Sequence, residues 1–239
     1  MSAFGVRRAL RIGGYSPIPI TDGTKRPAIE KGWQNKFETN DGEIELWGRS
    51  YPRANCTGIL TRLVPTLDID ILNEEAAEAV EALARERFEE RGYVLVRIGQ
   101  APKRAILFRT NNPFKKILIN LIAPNDSGGE QKLELLADGQ QIIVDGIHAK
   151  TGQPYHWFGG QPGPIKREDL PYLHEAEAKQ LIEDAADLLC RDFNFKRAKA
   201  RPKKEQSKPD TGNGGRSTLE DWGYLAENIR AGQALHDAA

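Results

Sequence analysis

The run Leu67-Asp68-Ile69-Asp70-Ile71-Leu72 constrains the fold of this chain more than any other stretch. Apolar residues alternate with acids over Thr66 to Leu72, and a period of two belongs to a β-strand. Asp68 and Asp70 then share one face, while Leu67, Ile69 and Ile71 face the other way into a core. A further acid, Glu134, lies on a second apolar run, Leu133-Glu134-Leu135-Leu136.

Carboxylates a few ångström apart repel, and each resists ionising beside the other. A cation between them removes that penalty. Hard divalent ions take oxygen ligands and keep waters for substrate phosphates. A third carboxylate on a neighbouring strand would complete a two-metal site for phosphoryl transfer. The pair alone leaves other readings open. It also suits a solvated strand edge, a metal-dependent nuclease, or a glycosyltransferase that holds a metal-bound nucleotide sugar.

The 239 residues carry 34 Lys and Arg against 34 Asp and Glu. This balance hides segregation. From Arg97 to Lys116 the chain has Arg97, Lys103, Arg104, Arg109, Lys115 and Lys116 with no acid among them. A cationic strip beside clustered carboxylates is what a nucleotide or DNA site needs. No apolar run approaches the ~18 residues of a membrane helix, and no signal-peptide stretch follows Met1. Cys56 and Cys190 are the only cysteines and lie far apart, so neither a zinc site nor a disulfide is expected. The expected compartment is a reducing cytoplasm.

Tyr15 to Ile20 is extended because its prolines exclude helix. Asn55 to Leu60 reads as a strand. A helix runs from Asn73, its cap, to about Arg91, where Gly92 ends it, with Ala76, Val80, Leu83, Ala84 and Phe88 as its apolar stripe. Tyr93–Ile98, Arg104–Arg109, Ile117–Ile122 and Tyr155–Phe158 read as strands. Lys132–Leu136 and Gln140–Asp145 flank Ala137-Asp138-Gly139, a hairpin signal. Glu175 to Phe193 is an amphipathic helix. These elements make residues 1–195 one domain. Lys196 to about Arg216 reads as a flexible basic linker, and residues 217–239 as the start of a helical C-terminal region, with Ser217 and Glu220 spaced as a capping box.

In this order the motifs resemble the N-terminal domain of bifunctional DNA primase/polymerases, members of the archaeo-eukaryotic primase superfamily found on plasmids and phages. Gly14-Tyr15 to Pro19, Lys25-Arg26-Pro27 and Gly32-Trp33 are similar to the family's opening. Asn55 to Thr61 followed by Leu67 to Asp70 resembles its first catalytic motif, and Lys132-Leu133-Glu134 with Asp138-Gly139 its third. Asp145-Gly146-Ile147-His148, Thr151-Gly152 and Pro154 to Trp157 resemble the segment that follows. The likeness covers about residues 12 to 160.

The resemblance implies a mixed α+β fold: a primase-like core with an RRM-like sheet, helices on one face and the acids on the open face. It implies template-directed nucleotidyl transfer with two Mg²⁺ or Mn²⁺ ions held by Asp68, Asp70 and Glu134. The implied partners are single-stranded DNA template, dNTP or NTP, and a helicase or ATPase module downstream. The family's second motif usually carries a histidine that helps hold the triphosphate. Here that stretch is Gly99 to Phe108, without histidine, so Lys103 or Arg104 is expected to take its place, with His148 a further candidate. The departure leaves a rival: a catalytically silent DNA-binding replication module.

Overall fold

A computed structural model describes residues 1–124 and 130–198. In chain order the elements are α1 (Ala3–Ile12), β1 (Pro17–Ile20), α2 (Asp41–Ser50), β2 (Cys56–Leu60), β3 (Thr66–Asp70), α3 (Glu74–Phe88), β4 (Leu95–Gln100) and β5 (Lys103–Leu107). They continue with β6 (Ile117–Ile122), β7 (Glu130–Leu136), β8 (Gln141–Asp145), β9 (His156–Phe158), α4 (Glu175–Asp192) and β10 (Lys196–Arg197).

Among the described residues, ten strands form two antiparallel sheets. The larger has the order β10-β6-β7-β3-β5-β4-β9 and the smaller β1-β2-β8. Strand β3 lies between β5 and β7, antiparallel to both. Because β5 is also antiparallel to β4, β4 runs parallel to β3, and α3 makes the crossover between them. This split β-α-β unit is the RRM-like feature expected. The expected mixed α+β class holds.

Leu67, Ile69 and Ile71 are fully buried in one core with Val80, Ala84 and Phe88 of α3 and Leu181, Ile182 and Leu189 of α4. Asn73 caps α3 by accepting a hydrogen bond from the Ala76 N–H at 2.8 Å. At the other end Gly92 turns the chain with φ 153°, and a Cβ there would lie 2.5 Å from the Asp169 carbonyl oxygen. Both helices thus cover one face of the large sheet.

The opposite face divides along the strands. Thr66, Leu95, Leu107 and Leu136 are buried at one end; the three leucines pack there against Leu10 of α1, Ile59 of β2, and Ile142 and Val144 of β8. Toward the other end the same parity brings up Asp68, Asp70, Lys103, Lys132 and Glu134, over which the small sheet leaves a cleft.

Several expectations need correction. The turn at Ala137-Asp138-Gly139 does not join a hairpin: β7 pairs with β3 and β6, and β8 pairs with β2 in the other sheet. With both edges of β7 taken, β8 has none to join. Thr61 fastens the turn instead, its Oγ1 donating to the Ala137 carbonyl at 2.6 Å. Lys196 and Arg197, expected at the start of the linker, pair with β6, and Arg197 bonds Glu183 and Asp187 of α4. The rest of the expected linker from residue 199, and the expected helix beyond Ser217, lie outside the described residues. Helices α1 and α2 were not expected. They meet through Arg8 and Arg11, which both bond Asp41. No helix among the described residues is long and apolar enough to cross a membrane.

Candidate functional site

Glu134 stands directly opposite Asp68 in the β3–β7 register, and Lys132 stands opposite Asp70. Cross-strand partners share a face and hold their Cβ atoms about 4.5–5.5 Å apart. The expected acids therefore sit on the open face of two adjacent strands. The Asp68 and Asp70 side chains are each 30% exposed, and Glu134 only 6%.

Cations pair closely with two of these three carboxylates. Lys103 of β5 pairs with Asp70. Lys116 bonds Oε1 of Glu134, and Lys132 bonds Oε2 at 2.8 Å. Burial works to raise the Glu134 pKa, but these two lysines outweigh it and hold the carboxyl below its usual range. Asp68 is the exception. Its nearest cation is Arg97 Nη2 at 3.9 Å. Burial first, then Asp70 and Glu134, push its pKa up against the opposing pull of Arg97.

Among the described residues no three Asp, Glu, His or Cys side chains are grouped tightly enough to hold a metal ion as they stand. The donor chemistry nevertheless fits a hard divalent cation. The acids offer oxygen alone, share one face, and include one carboxyl, Asp68, whose negative charge is under-compensated. Asp68, Asp70 and Glu134 would hold it, with Glu134 exchanging a lysine for the ion.

The cleft above the acids has a volume of about 330 Å³ and is walled by Lys25, Arg97, Lys103, His148, Lys150 and Tyr155. Small-molecule sites run from about 300 to 1,000 Å³. Lys103 and Arg104, both expected to bind phosphate, part company here. Arg104 pairs with Ile69, on the helix side of the sheet, while its neighbours Lys103 and Ala105 have the parity of Asp68. The Arg104 side chain is 7% exposed and donates to Glu81 of α3 at 2.7 Å. It fastens α3 to the sheet: although Arg104 also borders the cleft, the carboxylates it pairs with are Glu78 and Glu81 of α3. Lys103 opens into the cleft.

His148 enters the cleft from the loop after β8. It is 5% exposed, packs edge-on to Tyr155 at 5.4 Å, and its Nδ1 accepts from the Thr151 N–H at 3.3 Å. That bond leaves the ring proton on Nε2. Gly99 of β4 makes room for this pair: a Cβ there would meet the Tyr155 ring at 2.4 Å and His148 at 3.0 Å.

Arg97 is a site residue that the sequence did not single out. Its Nη1 donates to the Ile143 carbonyl at 2.6 Å, and its guanidinium lies 4.9 Å from the Tyr155 ring centre. It therefore ties the large sheet to the small one across the cleft while facing Asp68. The available signal was its parity, since it shares a face with Ala105 and so with Asp68.

Comparison with curated proteins finds no match. A family model for the bifunctional DNA primase/polymerase N-terminal domain matches residues 7–172, more than half of the chain, and the chain belongs to that family.

Proposed function

We propose that this domain catalyses template-directed nucleotidyl transfer, as a DNA primase, a DNA polymerase or both, in the replication of a plasmid or phage. The observation that carries the reading is the register of Glu134 against Asp68 on the open face, at the floor of a cleft lined with cations. In the reaction the 3′-oxygen of the primer attacks the α-phosphorus of a nucleoside triphosphate. A new phosphodiester P–O bond forms, the α–β bridging P–O bond breaks, pyrophosphate leaves, and the hydroxyl proton passes to solvent.

The chain's own side chains contribute position and charge. Lys25, Lys103 and Lys150 line the cleft where the triphosphate would lie, and their charge offsets that of the phosphates. His148, with its proton on Nε2, would donate to a phosphate oxygen. Arg97 holds the two walls in register and faces the acids. Divalent ions such as Mg²⁺ or Mn²⁺, when bound by Asp68, Asp70 and Glu134, would lower the pKa of the attacking hydroxyl and neutralise the triphosphate. DNA template and nucleotides are the expected substrates, and a helicase or ATPase module is the expected companion.

One observation favours a second reading, a catalytically silent DNA-binding module: every acid of the triad faces a cation already. Incubation with single-stranded or primed template, Mn²⁺ or Mg²⁺, and dNTPs or NTPs separately decides the matter. Extension that disappears on Asp68→Asn supports nucleotidyl transfer. Template binding without extension supports the silent module. Cleavage of the template or transfer of a sugar would overturn both.

A further inference from the structure

The large sheet does not end at the acids. Beyond β7 it continues through β6 to β10, and among the described residues no strand of the small sheet packs substantially on β6. On β6, Leu118 stands opposite Glu134 and Asn120 opposite Lys132, so Lys116, Leu118, Asn120 and Ile122 continue the face that carries the acids. Leu118 and Ile122 are each 45% exposed, whereas Leu121 between them, on the helix face, is fully buried. Lys196 of β10 stands opposite Ile122 and is exposed. Two uncovered aliphatic side chains, bordered by Lys116, Lys132 and Lys196, thus adjoin the candidate site.

In-line transfer fixes which side of the acids this surface serves. The attacking oxygen and the leaving group lie on opposite sides of the transferred phosphorus. On the proposed reading, on which this inference rests, the triphosphate occupies the β5–β4 side, with Lys103, Lys25 and Lys150. The attacking strand must then approach from the β7–β6 side.

We propose that the open face of β6 and β10 is the track for the primer strand, seating the sugar–phosphate chain of its last few nucleotides. Leu118 and Ile122 lie against sugars and base edges, and Lys196 faces the phosphates, joined by Lys116 and Lys132 where an ion replaces them on Glu134. Leu118 to Ile122 spans roughly 13 Å of strand, about four steps of a duplex strand at 3.4 Å each. The face offers no array of base-reading donors, so the track is blind to sequence.

The test uses the full chain and reads DNA binding separately from catalysis. Ile122→Glu places a negative charge on the track at a position exposed enough to leave folding intact, which the thermal midpoint checks. Ile122→Lys and Leu118→Lys place a positive charge there. Affinity for a primed template is measured by fluorescence anisotropy over a range of salt, and the Michaelis constant for nucleotide by extension. The track predicts that Ile122→Glu weakens primed-template binding at least about fivefold. Each lysine variant should bind as well as or better than the parent, and its log–log salt slope should steepen by about 0.9. Nucleotide KM should stay within about twofold. Unchanged binding in Ile122→Glu overturns the track, as does equal weakening by lysine and glutamate, which would report local distortion. A parent chain that binds primed template but does not extend it overturns nucleotidyl transfer alone, because the binding measurements still decide the track.

Discussion

Asp68 and Glu134 face each other across the β3–β7 ladder, yet their charges are balanced differently. Glu134 is bonded by Lys116 and Lys132, whereas Asp68 has only Arg97 at 3.9 Å. The carboxyl with the least compensation is therefore the one best placed to gain from a bound cation.

Asp68→Asn should abolish extension, a loss of at least about 100-fold, without unfolding the domain. The substitution keeps the shape of the side chain and removes a charge that burial disfavours. In metal-free buffer its thermal midpoint should equal or exceed that of the parent. Asp70→Asn should match it in activity but leave Lys103 without its partner. Full extension by either variant would remove that acid from the site.

Lys103→Ala and Arg104→Ala should separate cleanly. The first should raise the nucleotide KM severalfold and leave the thermal midpoint nearly unchanged. The second breaks the tie to Glu81 and should cost about 1–3 kcal/mol of stability, or several degrees in midpoint. Its nucleotide KM should stay near the parent value. A selective rise in KM for Arg104→Ala with no loss of stability would reverse this assignment.

That distinction shows where the sequence stops being legible. The alternation around Ile69 is local, and a period of two suffices to place Asp68 and Asp70 together and the leucine and isoleucines in the core. Lys103 and Arg104 differ only in parity, and parity depends on where β5 begins, which Pro102 obscures. The end of β7 was equally legible as a turn. That β8 pairs elsewhere depends on β6 occupying the remaining edge of β7, a non-local fact. Helix α1 is harder to read because its short stripe of Val6 and Leu10 is interrupted by a buried cation, Arg7, whose Nη2 donates to the Cys56 carbonyl at 3.1 Å. Helix α2 buries only Ile44 and Trp47. Arg97 reads in sequence as one cation in a strip; its position depends on the Ile143 carbonyl of the other sheet.

Lys132 should compete with a divalent ion for Glu134. Lys132→Met keeps the aliphatic stem and removes the ammonium that bonds Oε2. In metal-free buffer the variant should melt lower, since it leaves a buried carboxylate with less compensation. Mn²⁺ should then raise its midpoint more than that of the parent; an ion at 100 times its Kd contributes about 2.7 kcal/mol. Thermal scans with and without Mn²⁺ check this independently of catalysis. Equal shifts would show that Lys132 does not compete, and no shift in either protein would show that these acids bind no Mn²⁺.

His148 should make stability depend on pH in the weakly acidic range. Burial, and then Lys25, Arg97, Lys150 and Lys103 around it, lower its pKa below the ordinary value. A histidine with a depressed folded pKa favours the folded state in its neutral form. That contribution is complete above the unfolded pKa, about 6.5, and is lost as pH falls through the folded value, because the unfolded chain takes up the proton first. His148→Gln removes the ionisation while leaving an amide in the cleft. The difference in thermal midpoint between parent and variant should therefore shrink or reverse as pH is lowered from about 8 to about 5. Other titrating groups are common to both proteins and cancel in that difference. A difference independent of pH would show that the imidazole is free to ionise in the fold, and that the cations around the cleft do not press on it.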